Sequence, residues 1–195
     1  MSSFTTFDNM TKRTLTSFKG LSALISPDTE CFTYADGDSV ESCTQALTDL
    51  DEYIEDNGPY DGVLAFSNGA GLAATLLIFQ ERKQSTQLSA PPLFKCAIFF
   101  CGGVPADPND MLEKKELRRL APEDGVQTRI PTAHIWGRND MIYPTFGPVL
   151  RSLCQKDLRE EYVHNGGHDI PSSDKLAVAN SVRVIKKTID KALEG

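Results

Sequence analysis

The sequence has few cysteines, and their spacing favours neither a metal site nor a disulfide framework. Five cysteines among 195 residues form an odd number, and no pair shows Cys-x-x-Cys spacing near a histidine pair. Zinc sites and disulfide scaffolds of small secreted proteins both need such regular spacing. The pattern is typical of reduced thiols in a cytosolic protein, with no structural metal. The cysteines are Cys31, Cys43, Cys96, Cys101 and Cys154.

Long apolar runs are also missing. No stretch approaches the roughly 18 consecutive apolar residues that a transmembrane helix requires. Residues Met1–Asp8 are polar and lack the apolar segment of a signal peptide. We therefore expect a soluble, cytoplasmic protein that has no membrane partner.

Positive charge is scarce, and the formal net charge is −7. A nucleic-acid partner would require a clustered basic surface, so we expect none. One group of basic residues is interleaved with glutamates, which is typical of a solvated helix face. The group comprises Lys114, Lys115, Arg118 and Arg119, with Glu113 and Glu116 between them.

The residues that are present predict a single α/β domain over residues 1–195. From Cys31 onward, short apolar runs alternate with amphipathic stretches, as in a parallel sheet with helical crossovers. The predicted strands are Cys31–Tyr34, Val63–Phe66, Cys96–Phe100, Thr132–Trp136 and Glu161–His164. The predicted helices are Ser42–Asp56, Asn68–Arg82, Met111–Leu120 and Asp174–Leu193.

A candidate nucleophile lies in the segment Ala65–Gly69, between a predicted buried strand and a helix rich in alanine and glycine. In a nucleophile elbow the serine occupies a tight strand-to-helix turn, and small neighbours let the two backbones approach. Ser67 has this context, although Ala65 replaces the first glycine of the G-x-S-x-G pattern. Taken alone, the segment favours the simpler interpretation that the serine only caps the helix.

Two further residues strengthen the catalytic interpretation. A serine nucleophile needs a base, and the base needs an acid that orients it. Asp140 follows the strand Thr132–Trp136, and His168 follows the last predicted strand. The order Ser, Asp, His, with each residue after a strand end, is the order expected for this type of fold. We therefore assign Ser67 as nucleophile, Asp140 as acid, His168 as base and the backbone N–H of Asn68 as an oxyanion donor.

Other polar residues near these strand ends have simpler interpretations. His134 lies inside a strand and is expected to be a hydrogen-bonded core residue, and His164 ends a strand and is expected to pack or cap. Asp169 adjoins His168 but is expected to point elsewhere. Cys101 is expected to be a small buried hydrophobe. Asn139 is open between an auxiliary hydrogen-bonding role and simple turn chemistry.

Several longer segments together resemble the eukaryotic FSH-type serine hydrolases, which are small α/β-hydrolases. The resemblance is carried by Glu55–Ala70, Pro91–Gly103, Ile130–Gly137 and Val163–Pro171, and it extends from about Asp49 to the C-terminus. It implies the same roles for Ser67, Asp140 and His168. It also implies ester or thioester hydrolysis, with polyketide acyl groups and the carrier domain of a polyketide synthase among the substrates and partners, and no cofactor.

The N-terminal part departs from the family pattern. Members open with a strand that ends in a Leu-His-Gly-type turn, which supplies half of the oxyanion hole, but no histidine precedes His134 here. We therefore expect an N-terminally shortened α/β-hydrolase-type sheet, mostly parallel, with helices on both faces and without the usual first strand. To close the gap, Cys31–Tyr34 is predicted to pair directly with Val63–Phe66, and Met10–Leu24 to pack as a helix.

The loss of one oxyanion donor leaves alternative functions open. One such donor contributes typically about 3 kcal/mol to transition-state stabilisation. The expected activity is hydrolysis of an ester or thioester of an apolar acyl group, weakened by the missing strand. The alternatives are a lyase or cyclase that acts on a polyketide intermediate in the same pocket, and a non-catalytic binding protein of hydrolase descent.

Overall fold

The computed structural model describes residues 11–13, 31–86 and 92–194. The strands are β1 (Thr11–Arg13), β2 (Cys31–Thr33), β3 (Gly62–Phe66), β4 (Cys96–Phe100), β5 (Thr132–Gly137) and β6 (Arg159–His164). The α-helices are α1 (Val40–Asn57), α2 (Ser67–Thr86), α3 (Phe146–Ser152) and α4 (Lys175–Glu194). A π-helical turn at Asp110–Lys114 and a 3-10 turn at Pro122–Asp124 lie between β4 and β5.

Strands β3 to β6 form a parallel sheet in the order β3-β4-β5-β6. The register pairs Phe66 with Phe100, and His134 with Glu161. Because all four strands run the same way, the segments that follow them emerge at one edge of the sheet. Ser67, Cys101, Asp140 and His168 all lie in those segments.

Helices cover both faces of this sheet, as the alternation of buried side chains in β4 shows. Ala97 and Phe99 belong to a core cluster with residues of α1, α2 and α3. Ile98 and Phe100 instead pack in a second cluster with Ile135 of β5 and Val184 of α4. Successive side chains of a strand point to opposite faces, so an uninterrupted apolar strand is buried on both sides. The α/β-hydrolase-type sheet predicted from the sequence is confirmed.

Helix α1 begins and ends where its flanking residues dictate. The Ser39 side chain accepts a hydrogen bond from the N–H of Ser42 and satisfies one of the first free donors. At the other end, the N–H of Gly58 donates to Ile54 O, and Pro59 follows.

Helix α2 is buried along much of its length, with Ala70, Leu76 and Ile78 fully inaccessible to solvent. The small residues at its start let it lie close to the sheet.

The predicted helix Met111–Leu120 is wrong beyond its first turn. The π-helical turn ends at Lys115, which has φ of 58° in the left-handed region. Arg118 does not lie on a solvated helix face but binds the carboxylates of Asp107, Asp110 and Asp124. These ion pairs stabilise a non-helical conformation after Lys115, which the alternation of charges in the sequence does not predict.

The predicted pairing of the Cys31 strand with the elbow strand is also wrong. Strand β2 pairs antiparallel with β1, so that Thr11 lies opposite Thr33 and Arg13 opposite Cys31. The backbone groups of β2 thus find partners in a short polar segment that has no hydrophobic periodicity. Within the predicted helix Met10–Leu24, residues Thr11–Arg13 are strand, and the rest of that range lies outside the described residues.

Each helix in the described ranges is too short or too polar to span a membrane.

Candidate active site

Ser67 occupies the junction between β3 and α2. Its φ of 52° lies in the left-handed region, which a non-glycine residue adopts only when the surroundings hold it there. The N–H of Gly103 donates to Ser67 O at 2.9 Å. A Cβ on Gly103 would come within 2.6 Å of that same oxygen, so only glycine lets the two segments approach this closely. The junction therefore has the strained strand–turn–helix geometry of a nucleophile elbow.

The structure brings the three predicted catalytic side chains together. Ser67 Oγ lies 2.7 Å from His168 Nε2, and His168 Nδ1 lies 2.6 Å from Asp140 Oδ2. An ionised carboxylate only accepts hydrogen bonds, so Nδ1 carries the imidazole proton. Nε2 is then free to accept the hydroxyl proton of Ser67. Residues far apart in the chain thus form one continuous hydrogen-bonded relay.

Asp140 is held as a carboxylate by the turn that follows β5. Its Oδ1 accepts the N–H of Ile142 at 3.0 Å and the N–H of Tyr143 at 2.8 Å. Burial opposes ionisation, but the bonds from Tyr143, His168 and Ile142 outweigh it and lower the pKa of Asp140 below its usual value. The acid is therefore charged at neutral pH.

The loop that carries His168 is tied to the Asp140 turn by three hydrogen bonds. The N–H of Arg138 donates to His164 O, and the N–H of Asn139 donates to Gly166 O. The side chain of Asn139 donates to Asn165 O at 2.7 Å. Asn139 thus joins the acid turn to the base loop, which is the auxiliary hydrogen-bonding role left open by the sequence.

Aromatic rings pack around the His168 imidazole. The Phe66 ring centroid lies 5.2 Å away, and the Tyr143 ring meets the imidazole edge-on at 5.1 Å. Tyr143 in turn stacks on Phe146 at 4.3 Å. These contacts restrict rotation of the imidazole. Sequence reasoning did not identify the three rings, although Phe66 and Tyr143 adjoin or closely follow predicted catalytic residues.

The competing histidines and acid take the positions expected of them. His134 is buried in β5 and hydrogen-bonds Thr132 Oγ1 at 3.0 Å. Burial, reinforced by the charges of Arg159 and Arg151, lowers the pKa of His134 to about 3. His164 is buried, and its Nδ1 accepts the N–H of Gly166. Asp169 is exposed and points towards His164 rather than His168.

Cys101 lies closer to the relay than the sequence suggested. Its sulfur, a carboxylate oxygen of Asp140 and a ring nitrogen of His168 lie within 4.8 Å of one another. Burial raises the pKa of Cys101 to about 11, so it is a thiol. Two ligands of one tetrahedral zinc ion lie about 3.3 Å apart. His168 Nδ1 and Asp140 Oδ2 lie only 2.6 Å apart, which is the distance of a hydrogen bond and too short for two ligands of one zinc ion.

A cavity of about 250 Å³ opens beside the nucleophile. Asn68 forms part of its wall, and its backbone N–H belongs to the first turn of α2, where helical N–H groups have no intrahelical partner. The other wall residues are mainly apolar and include Leu72, Val104, Met111 and Phe146. Arg119 also lines this cavity. It is exposed, as the sequence predicted, but it lies outside the helices and at the mouth of an apolar cavity.

Comparison with known proteins identifies the family. A profile of the serine hydrolase family FSH1 matches residues 10–179. The chain belongs to this family. Esterase FPY3 of Fusarium mangiferae is 36% identical over 178 residues, which cover 90% of this chain and 78% of FPY3. Hydrolase phiM of Talaromyces stipitatus is 30% identical and covers 70% of the chain.

The chain is shorter than several of its relatives. It spans 53% of that phiM hydrolase, and it spans 52% of Family of serine hydrolases 2 from Saccharomyces cerevisiae, to which it is 32% identical. Among solved structures, a monoacylglycerol lipase of Paleococcus ferrophilus superposes with a TM-score of 0.51 at 12% identity, covering 83% of each chain. A putative lipase of Acinetobacter baumannii gives 0.52 at 14%, covering 86% of this chain and 71% of its own. These likenesses show the α/β-hydrolase fold.

Proposed function

We propose that the protein is a serine esterase that cleaves a carboxylic ester or thioester through Ser67, His168 and Asp140. The observation that carries the proposal is the relay of 2.7 Å and 2.6 Å that links the three side chains. These are distances at which a proton passes between groups. Membership of the serine hydrolase family supports the same chemistry.

In the proposed reaction, His168 Nε2 takes the proton of the Ser67 hydroxyl as Oγ attacks the acyl carbon. Asp140 stabilises the imidazolium that forms, and the Asn68 N–H donates to the oxyanion. His168 then gives its proton to the departing alcohol or thiol, which leaves Ser67 acylated. Water repeats the sequence, releases the acid and restores the serine.

The apolar cavity beside Asn68 supports an apolar acyl group as the preferred substrate. Attack on a thioester passes through the same oxyanion, so the same groups serve both substrates. The family resemblance extends the proposal to polyketide acyl groups held on the carrier domain of a synthase. In this proposal water hydrolyses the acyl-enzyme, which is a step that a lyase, a cyclase or a binding protein would not carry out.

The proposal is tested with p-nitrophenyl esters and three variants: Ser67→Ala, His168→Ala and the double variant. Because the relay acts as one unit, each single change should remove nearly all turnover, and the double variant should be no worse than either. Circular dichroism should show an unchanged fold in all three. Losses that multiply in the double variant would contradict the assignment, because they would show that the two side chains act independently.

A further inference from the structure

Arg119 is a cationic residue in an otherwise mainly apolar cavity. The cavity wall includes Leu72, Val104, Met111 and Phe146, and Arg119 lies among them. Asn68, the residue after the nucleophile, lines the same cavity, so Arg119 is placed to contact a ligand that enters it.

The hydrogen bonds of Arg119 leave part of its guanidinium unused. Nη2 donates to Gly37 O at 2.9 Å, and Nη1 lies 3.5 Å from Val104 O. The guanidinium also contacts the thiol of Cys43, and Arg119 is exposed to solvent. The neighbouring Arg118, by contrast, binds three carboxylates, as described above. Among the described residues, no carboxylate forms an ion pair with Arg119. Of the five N–H donors of its guanidinium, some therefore remain available to a ligand.

The lining of the cavity indicates which side of the scissile bond would enter it. The leaving group must lie against His168 Nε2, which protonates it. His168 does not line the cavity, whereas Asn68, whose N–H faces the developing oxyanion, does. The space near Asn68 thus receives the chain attached to the acyl carbon.

We propose that Arg119 makes this cavity a subsite for acyl chains that carry a carboxylate at their far end. The apolar wall holds the methylene groups, and the guanidinium binds the carboxylate with paired, charge-assisted hydrogen bonds. This inference rests on the proposed esterase function and specifies its substrate class. The substrates are half-esters or half-thioesters of dicarboxylic acids, and the product is the free diacid.

The test compares kcat/KM for two six-carbon substrates, the 4-nitrophenyl half-ester of adipic acid and 4-nitrophenyl hexanoate, with uncatalysed hydrolysis subtracted. We expect the wild-type enzyme to prefer the half-ester. Arg119→Gln should reduce that preference by about tenfold or more, because it removes a charge-assisted contact. It should lower kcat/KM for hexanoate much less than kcat/KM for the half-ester, because hexanoate has no carboxylate for the guanidinium to bind.

Two further variants separate charge recognition from structural support. Arg119→Lys keeps the charge and should retain part of the preference for the half-ester. Arg183→Gln removes the same charge from an exposed position on α4 and should leave the preference unchanged. An equal loss of activity on both esters in Arg119→Gln would show a structural role for Arg119 and overturn the proposal.

The remaining outcomes distinguish this proposal from the esterase function itself. If the wild-type protein hydrolyses hexanoate without preferring the half-ester, the Arg119 subsite is wrong and the esterase function stands. If it hydrolyses neither ester, the esterase function and the Arg119 subsite are both wrong.

A third substrate, the hexanoate ester of 4-hydroxybenzoate, carries the carboxylate on the leaving group. An Arg119-dependent preference for this substrate alone would overturn the acyl-side placement.

Discussion

At the scale of single residues, Asp140 has the most demanding part in the proposed mechanism, because it must remain charged while buried. It keeps its charge through the N–H groups of Ile142 and Tyr143 and through His168. The Asp140→Asn variant keeps the shape but presents an amide, which favours the wrong imidazole tautomer. We expect kcat to fall by about 10⁴, as in serine proteases with the equivalent change.

The matched control for Asp140 is Asp169→Asn, which removes the same charge from the residue that follows His168 in the chain. Asp169 is exposed and does not contact His168 Nδ1 in the structure, so this variant should keep most of its activity. Steady-state kinetics on a p-nitrophenyl ester measure both variants. A larger loss in the Asp169 variant than in the Asp140 variant would mean that the acid has been assigned to the wrong residue.

The sequence was sufficient to predict that Ser67, Asp140 and His168 come together, because each follows the carboxyl end of a strand in one parallel sheet. The sequence was not sufficient to predict that Arg119 lines a cavity, because the alternating charges from Glu113 to Arg119 are also typical of a solvated helix face. Only the acidic partners of Arg118, which come from segments outside that run, explain why the chain turns away from a helix. Ion pairs between residues six to eleven positions apart leave no periodic signal in the sequence.

At the scale of elements, the contact between the end of β5 and the base loop determines where His168 lies. A Cβ on Gly137 would overlap the carbonyl oxygens of Gly166 and Gly167. Both obstacles are backbone, so Gly137→Ala must displace the loop. We expect a loss of activity of at least about 10²-fold, because a displacement of about 1 Å is costly in catalysis, together with reduced thermal stability.

Gly167→Ala is the control for this prediction, because it adds the same methyl group to the same loop. The nearest atom to its Cβ would be Asn139 O, at 3.8 Å, which is an ordinary contact. Kinetics and thermal melting of the two variants should therefore differ clearly. Equal effects would show that loop mobility, rather than the contact at Gly137, controls the position of His168.

The shortest elements could not be predicted from hydrophobic periodicity. Helix α3 covers only seven residues and contains Gly147 and Pro148, so its apolar pattern is too short to predict. Strand β1 is polar and three residues long, yet it provides the partner of β2. The buried strand β4, in contrast, was predicted with its observed bounds, because five consecutive apolar residues are typical of a strand that is buried on both faces.

At the scale of the whole molecule, buried His134 makes stability depend on pH. Its pKa is lowered to about 3 by burial in the folded protein, against about 6.5 in an unfolded chain. Below pH 6.5 the unfolded chain therefore binds a proton that the folded protein does not. The free energy of unfolding should fall by about 2 kcal/mol between pH 7 and pH 5 on account of this residue.

Chemical denaturation of the wild type and His134→Gln at the two pH values tests this effect. Other titrating groups are common to both proteins, so the difference between their two pH dependences isolates His134. The wild type should lose more stability than the variant on acidification. Identical pH dependences would indicate that His134 is protonated inside the folded protein, in conflict with its burial.

The central claim is that the relay activates Ser67, and covalent labelling by a fluorophosphonate tests it most directly. Phosphonylation of the serine oxygen releases fluoride, and the reaction needs His168 to remove the proton. Peptide mass spectrometry should locate one adduct on Ser67 in the wild type, none in Ser67→Ala, and labelling slowed by orders of magnitude in His168→Ala. An unlabelled wild-type protein, or equal labelling rates with and without His168, would contradict the account.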